Sequence, residues 1–255
     1  MKRMHFTLAL LALGALTACG KSAKPQEPAA ETAGTEQEPA PAPVAAAEPA
    51  PAEPPVETKL PTLAVVITHK VKDFDAWKKG FDEHQPKRVE AGIVAHHLNR
   101  GVADPSLVVV YLVATDLDKL KAFLADPGLK EAMKAAGVKG KPEIAIVTPV
   151  ENHTATDATL PAAFITHEVK DYDAWKTVFD EDATRRTEAG LVGYALNRDQ
   201  AKPNLIVIYT QSKTREALDA FLASPELKTK MKSGGVKGKP KVTLLQGVEW
   251  GQYTK

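Results

Sequence analysis

The sequence predicts an α+β fold: two tandem β-α-β-β-α-β units that close on one another within one chain. The first observation behind this is a duplication. Residues 64–151 align without a gap on residues 162–249, with roughly half of the paired positions identical. His69-x-Val71-Lys72-Asp73-x-Asp75-Ala76-Trp77 returns as His167-x-Val169-Lys170-Asp171-x-Asp173-Ala174-Trp175, and Gly137 to Pro142 returns unchanged as Gly235 to Pro240. Such regularity fixes the domain count before any residue is read locally. The second observation is that apolar spacing alternates between strand and helix periods in the same order in both copies. The third is a change of composition near residue 60, since between residues 20 and 60 large apolar side chains all but vanish.

The elements follow in order. Leu63 to His69 is apolar and β-branched, hence a strand. Asp73 is placed to cap the next helix by accepting from its first free amides. Phe74, Trp77 and Phe81 recur at helical spacing, with Lys78, Lys79, Asp82 and Glu83 on the other side. Gly92, free to adopt a left-handed conformation, stops this helix. Ile93 to Arg100 reads as a second strand, Asp104-Pro105 as a turn, and Leu107 to Ala114 as a third strand, almost wholly apolar. Thr115 or Asp116 opens a helix that buries Leu120, Phe123 and Leu124. Asp126-Pro127, matched by Ser224-Pro225, places a cap before a proline and restarts a helix. Leu129 and Met133 share its face and Gly137 ends it. Lys139-Gly140-Lys141 then reads as a solvated turn, and Ile144 to Val147 as the fourth strand. The second copy repeats every boundary.

A unit of this order and length fits the split βαβ, ferredoxin-like arrangement, with both helices on one face of a four-stranded antiparallel sheet. The other face needs a cover, and the sister unit supplies it. The reading divides the chain into a signal peptide (1–19), a Pro/Ala/Glu tether (20–60), a first repeat (61–152) and a second repeat (160–251). The short polar stretch from Thr154 to Thr159 links the repeats.

Lys2 and Arg3 precede a short apolar run from Phe6 to Leu16, the pattern of an export signal too short to span a bilayer. Leu16-Thr17-Ala18-Cys19 resembles a bacterial lipobox. That resemblance implies cleavage before Cys19, a diacylglyceryl thioether on its sulfur and an acyl group on its new amine. Two or three acyl chains anchor stably. Gly20, not Asp, follows the cysteine, which by the same resemblance favours the outer membrane, facing the periplasm. The tether is too poor in apolar side chains to fold. Its prolines keep it semi-extended, with a reach of roughly 120 Å. Cys19 is the only cysteine, so the mature repeats have no disulfide and no thiol nucleophile. With 33 basic and 32 acidic residues, nothing points to nucleic acid.

The strand running into Val-Lys-Asp-aromatic-Asp-Ala-Trp, the helix ending at Gly92 and the Gly-Val-x-Gly-x-Pro stretch resemble the dimeric α/β-barrel superfamily. They are most similar to small members grouped with the antibiotic-biosynthesis monooxygenases. The resemblance covers both repeats. Most such proteins carry one unit per chain and dimerise, so it implies a fused pseudo-dimer, an intramolecular dimeric α/β barrel. The superfamily so resembled includes cofactor-independent quinone-forming oxygenases, haem-degrading enzymes, chlorite dismutase-like proteins and members with no known activity. The Asn, Trp and His set of the oxygenases is not found at its expected placement, and Trp77 and Trp175 lie on the first helix, unlike the haem-degrading pattern.

His69 and His167 end the first strand of each copy. Each shares a sheet face with Val65 and Ile67, or with Ala163 and Ile165. If that face lines the barrel, the imidazole is a candidate base or haem ligand. The alternative is a strand-end histidine bonded to the following turn or to Asp73. His96 and His97 are adjacent and point to opposite faces. Their counterparts are Tyr194 and Ala195, so any role belongs to one half. Asn99-Arg100 recurs as Asn197-Arg198. Arg100 shares a face with His96 and suits a carboxylate or phenolate; a surface or inter-repeat contact is equally open. Asp73, Asp171, Trp77 and Trp175 read as caps and core. Arg88 and Arg186 oppose the first helix's dipole. The chain has no HExxH, CxxC, Gly-x-Ser-x-Gly or Walker pattern, and no metal or cofactor is assigned.

The leading expectation is an envelope lipoprotein whose barrel binds a small apolar or aromatic molecule, or supports a partner. The next is a cofactor-independent monooxygenase of phenols or quinols, with His69 or His167 taking the proton and Arg100 or Arg198 holding the anion. Haem binding through a histidine ranks third. Besides the membrane, reached through lipidated Cys19, a small-molecule ligand is the expected partner.

Overall fold

The computed structural model describes residues 63–253. The signal peptide, the tether and Cys19 lie outside the described residues. Among the described residues no helix is long and apolar enough to cross a membrane. In the first repeat β1 (Leu63–Val71) leads into α1 (Phe74–Glu83) and α2 (Gln85–Glu90). There follow β2 (Ile93–Gly101), β3 (Leu107–Ala114), α3 (Leu117–Ala125), α4 (Pro127–Ala135) and β4 (Val138–Asn152). The second repeat gives β5 (Pro161–Val169), α5 (Tyr172–Glu181), α6 (Ala183–Glu188), β6 (Leu191–Asp199) and β7 (Leu205–Ser212). It ends with α7 (Arg215–Ala223), α8 (Pro225–Ser233) and β8 (Val236–Gln252).

All pairings are antiparallel, and the strands close in the order β1-β3-β2-β8-β5-β7-β6-β4. Within each repeat the order is that of a ferredoxin-like sheet, β4-β1-β3-β2 and β8-β5-β7-β6. Closure comes from the two long last strands. The end of β4 pairs with β6, Pro149 opposite Asn197 and Asn152 opposite Ala195. The end of β8 pairs with β2, His97 opposite Trp250. The two sheets therefore share edges as well as facing each other, which leaves the barrel no unpaired edge.

The fourth strand is much longer than its apolar stretch of Ile144 to Val147. The Lys139-Gly140-Lys141 segment is not a free turn. It belongs to β4, pairing Lys139 with Lys70 across an irregularity in the ladder. Gly140 at φ +69° and Gly238 at φ +63° supply the left-handed residue that such a bulge takes most readily from glycine. The first helix is likewise two helices, broken at His84 in one copy and Asp182 in the other. Pro86 favours a break in the first copy, but the second has Thr184 there and breaks as well. Common to both is the arginine of the following turn. Arg88 donates to the Phe81 carbonyl and Arg186 to that of Phe179, so the side chain takes an acceptor that a continuous helix would use. The caps fall as the sequence indicates: Asp73 accepts from the Ala76 amide at 2.7 Å and Asp171 from that of Ala174 at 2.8 Å.

Three apolar layers result. Each set of helices packs on the outer face of its own sheet, around Val65, Ile67 and Trp77 or around Ala163, Ile165 and Trp175. The third fills the barrel, where Ala64, Val66, Val109 and Val147 meet Ala162, Val207, Tyr209 and Leu245. The connector between repeats crosses close to β8. An ideal Cβ on Gly247 would lie 1.8 Å from the Ala158 carbonyl oxygen, which accounts for glycine where the first copy has Pro149.

Candidate functional site

His69 and His167 do not line the barrel. They share the face of Val65 and Ile67, or of Ala163 and Ile165, as alternation requires, but that face is the one the helices cover. The barrel side takes the alternates Ala64, Val66, Ala162 and Phe164. Nor are the imidazoles bonded to the turn or to Asp73. Each is 5 % exposed, and neither nitrogen of either ring has a hydrogen-bond partner. Burial pushes both down to about 4, so both are neutral at pH 7, each with one nitrogen lone pair unengaged.

Each imidazole opens into an apolar cavity between helix and sheet, of about 60 Å³ in the first repeat and about 70 Å³ in the second. An aromatic ladder forms one wall. In the first, His69 lies 5.3 Å from the Trp77 ring, which stacks on Phe81 at 5.3 Å. In the second, the His167–Trp175 and Trp175–Phe179 separations are 5.5 and 5.1 Å. Phe123 and Met133, or Phe221 and Met231, lie on the helical side. Arg88 and Arg186 also line the cavities. Arg88 is 3 % exposed, has its guanidinium 3.6 Å from the Phe81 ring centre, and donates to the Tyr253 hydroxyl at 2.7 Å. Arg186 sits 3.8 Å over Phe179. Burial lowers both, yet neither touches a carboxylate among the described residues.

The remaining sequence candidates divide by face. His96 and Tyr194 point to the helix layer, where each meets a carboxylate delivered by the other repeat's last strand. His96 Nε2 is 2.9 Å from Glu249, and the Tyr194 hydroxyl donates to Glu151 at 2.5 Å. Burial, reinforced by Glu151, pushes Tyr194 up to about 12. Arg100 and Arg198 share that face but line neither cavity. They donate to the Pro105 and Pro203 carbonyls and lie over the Phe74 and Tyr172 rings at 4.2 and 3.7 Å. Asn99 and Asn197 point into the barrel, where they accept from Tyr209 at 3.2 Å and from Tyr111 at 3.0 Å. Each of these pairs joins one repeat to the other.

Tyr111, Tyr209, Trp250 and the two crossing glutamates carry no local sequence signal, and Arg88 and Arg186 show a dipole role there. Arg88 has a further signal. It continues the spacing of Trp77, Phe81 and His84, an arginine on a core-facing stripe. No three His, Cys, Asp or Glu side chains converge into a metal site among the described residues.

The sequence profile of the antibiotic biosynthesis monooxygenase family matches residues 164–232, from β5 to α8. No curated protein matches the chain. Among solved structures, an anthrone oxidase-like protein superposes with a TM-score of 0.58 at 12 % identity, covering 76 % of this chain and 94 % of its own. A candidate monooxygenase from Fusobacterium nucleatum subsp. nucleatum ATCC 25586 gives 0.54 at 13 % identity, with 74 % and 94 % covered. Another from Lactobacillus acidophilus NCFM gives 0.52 at 16 % identity, with 75 % and 96 % covered. The chain thus carries an antibiotic-biosynthesis-monooxygenase-like, ferredoxin-fold domain, and identities this low speak to fold alone.

Proposed function

We propose that this chain is a lipid-anchored protein of the cell envelope, held at the periplasmic face of the outer membrane through Cys19. Its helix–sheet cavities, smaller than the roughly 150 Å³ that benzene fills, take the polar end of a small aromatic or apolar molecule carrying a hydroxyl or N–H. One observation carries the binding reading: two imidazoles, at equivalent positions, are buried without a partner in apolar cavities walled by aromatic rings. Leaving a buried polar group unpaired costs about 1–3 kcal/mol. A donor group on a ligand removes that cost, and the neighbouring guanidinium favours an electron-rich oxygen on the same molecule.

The second reading, a cofactor-independent oxygenase, is favoured by the family match on the second repeat. It asks His69 or His167 to act as base. A phenol of ordinary acidity near 10 would have to give its proton to an imidazole held at about 4. That gap of about 6 pH units is ~8 kcal/mol uphill before any help from Arg88 or Arg186. The low basicity of these buried imidazoles therefore favours binding over proton abstraction.

Calorimetric titration of the mature protein with 4-methylphenol, with histidine ring 15N shifts followed in parallel, tests the binding reading. Saturable binding that moves the His69 and His167 signals, and that weakens about tenfold in His69→Leu and His167→Leu, is expected. Unchanged affinity in both variants overturns it. Oxygen uptake with hydroquinones that disappears in the same variants would favour the oxygenase instead. Anchoring is tested separately: Cys19→Ala should move the protein from the membrane fraction to the soluble one.

A further inference from the structure

A third cavity, of about 80 Å³, lies inside the barrel between the two repeats. Its walls obey the duplication at some positions and break it at others. Tyr111 with Asn197, and Tyr209 with Asn99, form the equivalent cross-repeat bonds described above, and they give the cavity a polar floor that is already satisfied. The departures fall at the two seams. On one seam His97 stands directly opposite Trp250; at the equivalent place on the other, Ala195 stands opposite Asn152. All four line the cavity. A pair of large rings on one side thus faces a pair of small side chains on the other, and the missing volume contributes to the space.

The large pair also brings recognition chemistry. His97 stands edge-on to Tyr209 at 5.1 Å, and its Nε2 is buried without a hydrogen-bond partner. Burial holds this imidazole down at about 4, against a smaller opposing effect of the Ala158 backbone. It is neutral at pH 7. Trp250 is 59 % exposed, the most exposed large apolar side chain among the described residues, although it forms part of the cavity wall. Exposed Asn152 lies across from it.

We propose that the barrel interior is a separate binding site for a small planar aromatic molecule carrying an O–H or N–H. One edge of the ring inserts beside Ala195, the donor bonds His97 Nε2, and the outer part of the ring stacks on Trp250. Size agrees with partial insertion. A dry cavity of about 150 Å³ is known to accept benzene, so one of about 80 Å³ takes part of a ring and leaves the rest at the mouth, where Trp250 is exposed. This site does not depend on the reading of the helix–sheet cavities. It is single where they are paired, because only the first repeat has His97 and only the second has Trp250.

The chain has three tryptophans, and each lines a different cavity: Trp77 the first, Trp175 the second and Trp250 the third. Labelling the mature protein with 5-fluorotryptophan therefore gives one fluorine reporter per cavity. With 4-methylphenol the Trp250 resonance should move saturably, with its own dissociation constant. Ala195→His, which restores the larger residue of the first repeat, should weaken that response at least tenfold and leave the Trp77 and Trp175 responses unchanged. His97→Ala, which fills nothing, should abolish the preference of the Trp250 site for 4-methylphenol over methylbenzene, a factor of about ten. A Trp250 resonance that stays still while the others saturate overturns the proposal, as does an Ala195→His or His97→Ala protein whose Trp250 response is unaltered. Movement of Trp77 and Trp175 is read independently, so failure here and failure of the helix–sheet reading cannot be confused.

Discussion

In the first helix–sheet cavity His69, Trp77, Phe81 and Arg88 stand where the second has His167, Trp175, Phe179 and Arg186. At the seams between repeats the match fails: Glu249 meets His96 where Glu151 meets Tyr194, and Trp250 faces His97 where Asn152 faces Ala195. The contrast separates two kinds of constraint. A helix–sheet cavity is built by one repeat alone, so both copies answer to the same local packing. A seam is built jointly, and in a homodimer its two instances would be identical by symmetry. Fusion lifts that restriction. One seam is free to keep bulk and the other to lose it, and a single off-axis cavity becomes possible.

If the helix–sheet cavities are equivalent, Trp77→Ala and Trp175→Ala should cost the same. Both rings are 4 % exposed, and each lies between a tilted histidine and a stacked phenylalanine. Urea titration should show a loss of about 3–5 kcal/mol for each. Values differing by more than the error of extrapolation would break the equivalence.

Acid should probe the same pair next. His69 and His167 are held at about 4 in the folded chain against an ordinary 6.5. Between those values the unfolded chain binds protons that the folded chain does not, so stability rises with pH. The contribution is complete above pH 6.5 and falls by about 3 kcal/mol per imidazole as pH drops through 4. His97, also held at about 4, adds a third share from the barrel. His69→Leu and His167→Leu should each remove one share of the acid sensitivity. At pH 7 each should also stabilise the fold by about 1 kcal/mol, since an unpartnered buried polar ring is replaced by an apolar one. Unequal shares would assign the two cavities different environments.

Tyr253→Phe sharpens the comparison because this contact exists only once. The Tyr253 hydroxyl accepts from Arg88 at 2.7 Å, while Arg186 has no such partner. The change should cost about 1–2 kcal/mol, and it should bring the affinity of the first cavity for 4-methylphenol towards that of the second.

Much of this was legible in the sequence, and what was not has a common cause. Strands, helices and caps came from local spacing, and the duplication gave their order twice. The long β4 was missed because Lys139, Gly140, Lys141 and Pro142 look like a turn; their strand character comes from pairing with Lys70 and Val71, which local spacing does not encode. The orientation of His69 was missed for a related reason. Alternation says which residues share a face, not which face the helices cover, and size does not decide it, since Phe164 lies on the barrel side with Ala64, Val66 and Ala162. Tyr111 and Tyr209 were hidden in apolar strands, since a phenol that bonds across the barrel has its partner in the other repeat.

The smallest expected effect bears on the seams directly. Lys78 reaches Glu249 at 3.1 Å and Lys176 reaches Glu151 at 2.5 Å, so the same pair of charges is set beside a histidine in one seam and a phenol in the other. Glu249 is 34 % exposed and Glu151 22 %. A double-mutant cycle on Lys78 and Glu249 should therefore return a coupling at the surface level, below about 1 kcal/mol, and the cycle on Lys176 and Glu151 a larger one, about 1–2 kcal/mol. The pH response should differ as well. Acidification that protonates His96, whose burial lowers it, puts a second positive charge beside Glu249, which competes with Lys78 for the same carboxylate, so the first coupling should weaken as the pH falls. Tyr194, pushed up to about 12, keeps its proton throughout that range, so the second coupling should hold. Equal couplings with equal pH responses would mean that the exchange of histidine for tyrosine left the two seams electrostatically alike. The asymmetry of the joined barrel would then rest on volume alone.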